Sequence, residues 1–132
     1  MHRLTGAARA ATLGLLLTAT VACGGKLQAT SIQLGRSLNS DNSVGNHTTS
    51  FKSTDTIYAA VETSASGSGV VSARWTYEGR VISEPQKKVS YRGEASTEFH
   101  LQNSGGFPPG DYEVEFFIDG QSVGTRKFRI TR

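Results

Sequence analysis

From residue 51 to the C-terminus, apolar and polar side chains alternate with a period of two, in short runs broken by turns rich in glycine, proline and serine. A chain written this way turns one face of each strand to a core and the other to water, which leads to antiparallel sheets. Ile57, Ala59 and Val61 alternate with Tyr58, Ala60 and Glu62, and Val71, Ala73, Trp75 and Tyr77 share a face against Ser72, Arg74, Thr76 and Glu78. Ala95, Thr97, Phe99 and Leu101 repeat the pattern, as do Tyr112, Val114, Phe116 and Ile118. Past residue 22, apolar residues nowhere recur at helical spacing over three turns. Six or seven short strands without a helix leave a sandwich or a small barrel.

The turns set the register. Glu78-Gly79 makes a tight turn into Arg80-Val81-Ile82, Pro85 ends that run, and residues 88–91 form a short edge strand. Asp119-Gly120 is the strongest hairpin signal, with Val123, Phe128 and Ile130 on the returning strand. A two-residue loop pairs Ile118 with Gln121 and Phe116 with Val123, but strict continuation would turn Phe128 outward. One extra residue between Gly124 and Lys127, with Gly124 as its cause, restores Phe128 opposite Tyr112, so a β-bulge is expected there.

The arrangement resembles the immunoglobulin and fibronectin type III group over residues 54–132. Trp75 stands in the place of the buried tryptophan on the third strand, and Pro109-Gly110-Asp111-Tyr112-Glu113-Val114 looks like the start of the sixth. The resemblance implies an all-β fold, a small antiparallel immunoglobulin-like β-sandwich of six to seven strands, in which Tyr112 is the corner tyrosine whose hydroxyl bonds upstream backbone. The disulfide of antibody domains is missing, because the chain has one cysteine.

That cysteine closes an N-terminal segment with its own logic. Residues 1–22 carry Arg3 and Arg9, then an apolar stretch diluted by Thr12, Gly14, Thr18 and Thr20, then small residues, which is the build of an export signal. The stretch falls short of the roughly 18–20 apolar residues that cross a bilayer. Thr20-Val21-Ala22-Cys23-Gly24-Gly25 resembles the lipobox of bacterial lipoproteins, with Thr20 where an aliphatic residue is usual. The resemblance implies acylation of Cys23, a mature chain that begins there, and residence in the bacterial cell envelope on the extracytoplasmic side. Two or more acyl chains, at ~0.8 kcal/mol per buried methylene, make such an anchor stable. Residues 23–50, rich in Ser, Thr, Asn and Gly, read as a flexible tether between anchor and domain, within which residues 29–34 can form a first strand. The sandwich is then expected over residues 51–132.

Charge and chemistry narrow the function. The full chain carries 14 basic and 11 acidic residues. Beyond residue 22 twelve basic residues remain against the same eleven acidic ones, so a net charge of +1 gives no warrant for nucleic acid. His47 falls in the tether and His100 points outward between Phe99 and Leu101; neither has the base–nucleophile company that catalysis needs. Glu94, Glu98 and Asp111 are scattered, Glu113 and Glu115 face outward opposite Lys127, and no paired-histidine or acidic-loop motif suggests a metal. The expectation is therefore a non-enzyme without cofactor or metal, bound to its membrane through Cys23. Its partner is a protein, peptide or glycan; a structural or assembly subunit of an envelope complex is the alternative. Tyr58, Tyr91, Phe107 and Phe117 are candidates for exposure. Phe117, Phe107 and Tyr91 make the candidate partner surface, Phe117 foremost because Phe116 and Ile118 already claim the inner face.

Overall fold

The computed structural model describes residues 25–132; the segment expected to be an export signal and Cys23 lie outside them. Ten strands follow one another: β1 (Gln28–Leu38), β2 (Val44–His47), β3 (Ser50–Lys52), β4 (Ile57–Ser64), β5 (Gly67–Tyr77), β6 (Arg80–Ser83), β7 (Gln86–Tyr91), β8 (Ala95–Leu101), β9 (Gly110–Ile118) and β10 (Gln121–Thr131). They form two sheets, one of four strands in the order β2-β1-β4-β8 and one of six in the order β3-β10-β9-β5-β6, with β7 also paired to β5. Every named pairing is antiparallel except that of β3 with β10.

The alternation in the sequence is the core seen edge-on. Ile57, Ala59 and Val61 of β4 face Val71, Ala73 and Trp75 of β5 and Val114 and Phe116 of β9, all but withdrawn from solvent. Aromatic rings fill the far end: Phe128 stacks on Tyr112 with centroids 5.3 Å apart and meets Phe51 and Trp75 edge-on at 5.5 and 6.0 Å. Tyr112 donates its hydroxyl to the Pro108 carbonyl at 2.6 Å, the upstream bond expected of a corner tyrosine. Both hairpin turns have positive φ at their two central residues, Glu78 (48°) with Gly79 (84°) and Asp119 (50°) with Gly120 (82°), as type I′ turns require.

Two sequence expectations are corrected. The strand allowed for at residues 29–34 is there as part of β1, but β2 and β3 follow it within the expected tether, and the ordered domain starts far ahead of residue 51. Leu27, Leu34 and Val44 are buried, while β1 pairs with β4 from Gln28↔Ser64 to Gly35↔Tyr58. These apolar residues are too sparse to make a core of their own, but they need only complete one that β4 and β10 already supply. The polar residues are engaged as well. Arg36 donates from Nε to Asp55 Oδ2 at 3.0 Å and from Nη2 to the Ser50 carbonyl at 2.7 Å. The turn between β1 and β2 is closed by Asn42 N–H to the Asn39 carbonyl and by Ser43 N–H to Asp41 Oδ1, both at 3.0 Å.

The bulge in β10 brings Phe128 opposite Tyr112, yet it sits one step earlier than expected. Ser122 pairs with Phe117 and Gly124 with Phe116, so Val123, not a residue beyond Gly124, is the extra one. Val123 thereby keeps its side chain against the core. Gly124 adopts φ 149°, a backbone conformation that side-chain-bearing residues rarely take, and it lies against the tip of Ile32 from β1, where a Cβ would stand 2.9 Å from Cδ1.

Candidate functional site

The three residues of the expected partner surface do not meet. Phe107 is buried, 7% exposed, which corrects its placement on the surface. Tyr77 and Tyr112 donate their hydroxyls to the carbonyls of Pro109 and Pro108, folding that loop back over the end of the sandwich. Phe107 becomes its plug, edge-on to Tyr112 at 6.2 Å, with its N–H bonded to the Ser53 carbonyl at 2.8 Å. Tyr91 lies at the opposite end, half-buried against the core, its hydroxyl 2.8 Å from Thr97 Oγ1. Phe117 does face outward from the six-stranded sheet, but the Arg74 guanidinium lies over its ring at 4.6 Å and leaves it half-covered. Cys23 lies outside the described residues.

A concave surface forms instead on the outer face of the four-stranded sheet. Ser31 and Gln33 of β1 and Glu62 of β4 make its floor, and Asn39, Ser43 and His47 of the β1–β2 hairpin make its wall, around a cavity of about 600 Å³. The wall exists because β2 folds tightly onto β1 at Gly35. A Cβ there would stand 2.2 Å from the Gly45 carbonyl oxygen and 2.8 Å from that of Asn46, so only glycine admits the hairpin. His47, expected to hang in a tether, is fixed opposite Gly35.

The floor is a hydrogen-bonded polar surface. Ser96 Oγ donates to the Glu62 carboxylate, lying 2.8 and 2.7 Å from its two oxygens, and Gln33 Nε2 donates to Ser31 Oγ at 3.0 Å. Glu62 and Glu94 line the trough, and its lining has no lysine or arginine. Such a surface offers hydroxyl, amide and carboxylate partners to a polar ligand.

Beside the trough, Glu98 is 7% exposed and compensated from two sides. Its Oε2 lies 2.6 Å from His100 Nδ1, and its Oε1 is 3.6 Å from Lys87 Nζ, which also donates to the Glu98 carbonyl and lies 4.9 Å over the Phe99 ring. Lys87 reaches from β7 of one sheet to β8 of the other, so the cluster seals the seam between the sheets. A carboxylate–histidine pair also orients an imidazole for proton transfer, but among the described residues no hydroxyl or thiol is hydrogen-bonded to His100. The sequence signal for half of this cluster was the shared outward face of Glu98 and His100; the arrival of Lys87 from the other sheet had none.

The architecture is that of immunoglobulin-like sandwiches. The chain is similar to an immunoglobulin-like protein from Pseudomonas aeruginosa, at 10% identity and a TM-score of 0.57 over 83% of this chain and 99% of that one. It is also similar to part of an alkylpurine DNA glycosylase from Pseudomonas fluorescens solved with DNA containing an abasic site analog, at 13% identity and a TM-score of 0.54. That match covers 83% of this chain and 31% of the glycosylase. A beta-glucosidase from Listeria innocua matches at 10% identity and a TM-score of 0.50, over 81% of this chain and 16% of its own. At these identities the likeness is one of fold alone. No family model matches the chain, and no curated protein matches it.

Proposed function

We propose that the protein is a membrane-anchored extracytoplasmic lipoprotein of a bacterial envelope, and that its sandwich is a non-catalytic module binding a protein, peptide or glycan. The observation that carries the binding half is the polar trough, a concave surface whose wall depends on a glycine and whose floor is already hydrogen-bonded. The anchor rests on the sequence around Cys23.

Membrane attachment at Cys23 carries a geometric consequence. Lys26 bridges Ser68 and the Gly25 carbonyl accepts the Ser68 N–H, so the domain begins within three residues of the cysteine. Two residues span at most ~7 Å. An acylated Cys23 therefore holds the end of the sandwich that carries Gly25, Ser66 and Gly120 against the head groups, with the Phe107 end pointing away. Replacing Cys23 with Ser should move the protein from the membrane to the soluble fraction while its melt stays unchanged. Retention on membranes after that change would remove the lipid anchor from the account.

A further inference from the structure

Four strands stand at the borders of the two sheets; beyond the short β2 and β3 the flanks of β1 and β10 face each other, and Arg126 takes up the Ile32 carbonyl between them. β2 and β3 are four and three residues long, and edges so short offer little to a partner strand. At β8, Lys87 reaches over the seam and takes up the Glu98 carbonyl. The fourth edge, β6 followed by β7, runs the length of β5. A bulge at Ile82 and the break at Pro85 interrupt its first part, and β7 continues it as six residues in unbroken register with β5, Gln86↔Ser72 to Tyr91↔Gly67.

This edge differs from the others in chemistry. Val81 and Ile82, 55% and 46% exposed, are the two most exposed large apolar residues among those described. A shallow cavity of about 440 Å³ lies over the β5–β7 pair, bounded by Gly69 and Val70 of β5 and Lys88 and Val89 of β7. Arg80, Lys88 and Arg92 are spaced along the edge, all exposed and none in an ion pair among the described residues. The one acid on it, Glu84, is taken by Arg74 at 2.8 Å.

We propose that the β7 edge accepts an extended acidic segment of another protein as an added strand, its backbone pairing with residues 86–91 and its carboxylates meeting Lys88 and Arg92. Strand addition takes affinity from main-chain hydrogen bonds and specificity from alternate side chains, here an acidic one beside each free cation and, on the opposite face, an apolar one beside Val89. A second copy of this chain offers Lys88 and Arg92 no carboxylate on the same edge, because Glu84, the one acid there, is already held by Arg74. The inference stands apart from both the lipid anchor and the trough.

The test uses end-capped eight-residue peptides alternating Glu with Val, and the same peptides with Lys for Glu, titrated into the residue 25–132 protein and followed by backbone amide shifts and hydrogen exchange. Saturable binding of the acidic peptide, slowed exchange confined to residues 86–91, and affinity that falls with added salt support the proposal. A Lys88→Glu, Arg92→Glu double variant should weaken the acidic peptide at least tenfold and bind the basic one instead; near-ultraviolet circular dichroism checks that its fold is kept. Equal binding of the two peptides, no protection at β7, shifts mapped to Gln33 and Glu62 of the trough, or dimerisation of the protein alone through this edge would each overturn it.

Discussion

Trp75 shows how a single side chain can stabilise and cost at once. Its ring is fully buried between the sheets, while its indole N–H has no hydrogen-bond partner. Trp75→Ala should cost about 3–5 kcal/mol, a large share of the 5–15 kcal/mol typical of a domain. Trp75→Phe should cost only about 1–2 kcal/mol, because it also removes an unsatisfied donor; denaturant melts of both variants check the ordering. Tyr112 makes a second residue-scale case. Burial, then the neighbouring Tyr77 and Glu78, pushes its phenol up from 10.0 to about 12. Since the folded state holds the proton more tightly, this contribution is full below pH 10 and is lost as pH climbs from about 10 to about 12. An ultraviolet titration should show a phenol phase at about pH 12, and Tyr112→Phe should abolish it. Both residues were legible in the sequence, through alternation for Trp75 and the Pro-Gly-Asp-Tyr run for Tyr112. Phe107 was not, because the Tyr112 hydroxyl is only one of its loop's ties, and the others, the Tyr77 hydroxyl on Pro109 and the Ser53 carbonyl on the Phe107 N–H, come from elsewhere in the chain.

At the scale of elements, local patterns served where the structure was local. The two type I′ turns and the pairs beside them, Tyr77↔Arg80 and Ile118↔Gln121, follow from Glu-Gly and Asp-Gly alone. The bulge needed the inward preference of Val123 and the approach of Ile32 from the other sheet, which no window of sequence contains. β1 was legible only in its alternating residues 29–34, and β2 not at all: their composition is that of a linker, and their order comes from long-range partners such as Arg126, whose Nη1 donates to the Ile32 carbonyl at 2.6 Å. The β1–β2 hairpin also supplies the trough wall, so Gly35→Ala tests it directly. A Cβ against two backbone oxygens forces β2 to move, at about 1–3 kcal/mol. Amide exchange should speed up in β2 while β4 and β8 keep their protection; unchanged exchange at β2 would show that the hairpin is not held by that contact.

Taken whole, the molecule is a sandwich whose N-terminal segment belongs to both layers: β1 and β2 in one sheet, β3 in the other. A fragment of residues 51–132 should therefore fail to fold, whereas residues 25–132 melt cooperatively. The shorter piece loses the burial of Leu27, Leu34 and Val44, each worth about 1.5–3 kcal/mol, and leaves β4 as a bare edge. A cooperative melt of the short fragment would show that residues 25–50 are an accessory after all. The immunoglobulin-like class was readable because two-residue periodicity is a property of the whole chain. The trough was not readable, because its floor and wall are joined only by how sharply one hairpin curls.

The placement of the two ends has a mechanical meaning. Gly25 leaves the sandwich beside Gly67, at the start of β5, and Arg132 leaves beyond the pairing of Ile130 with Gly110, at the opposite pole. Tension between these ends runs along the strand axes, so it loads the β1/β4 ladder and the parallel β3/β10 ladder in shear, many bonds together, and does not unzip them one by one. A body held at one pole and tugged at the other would yield late and abruptly.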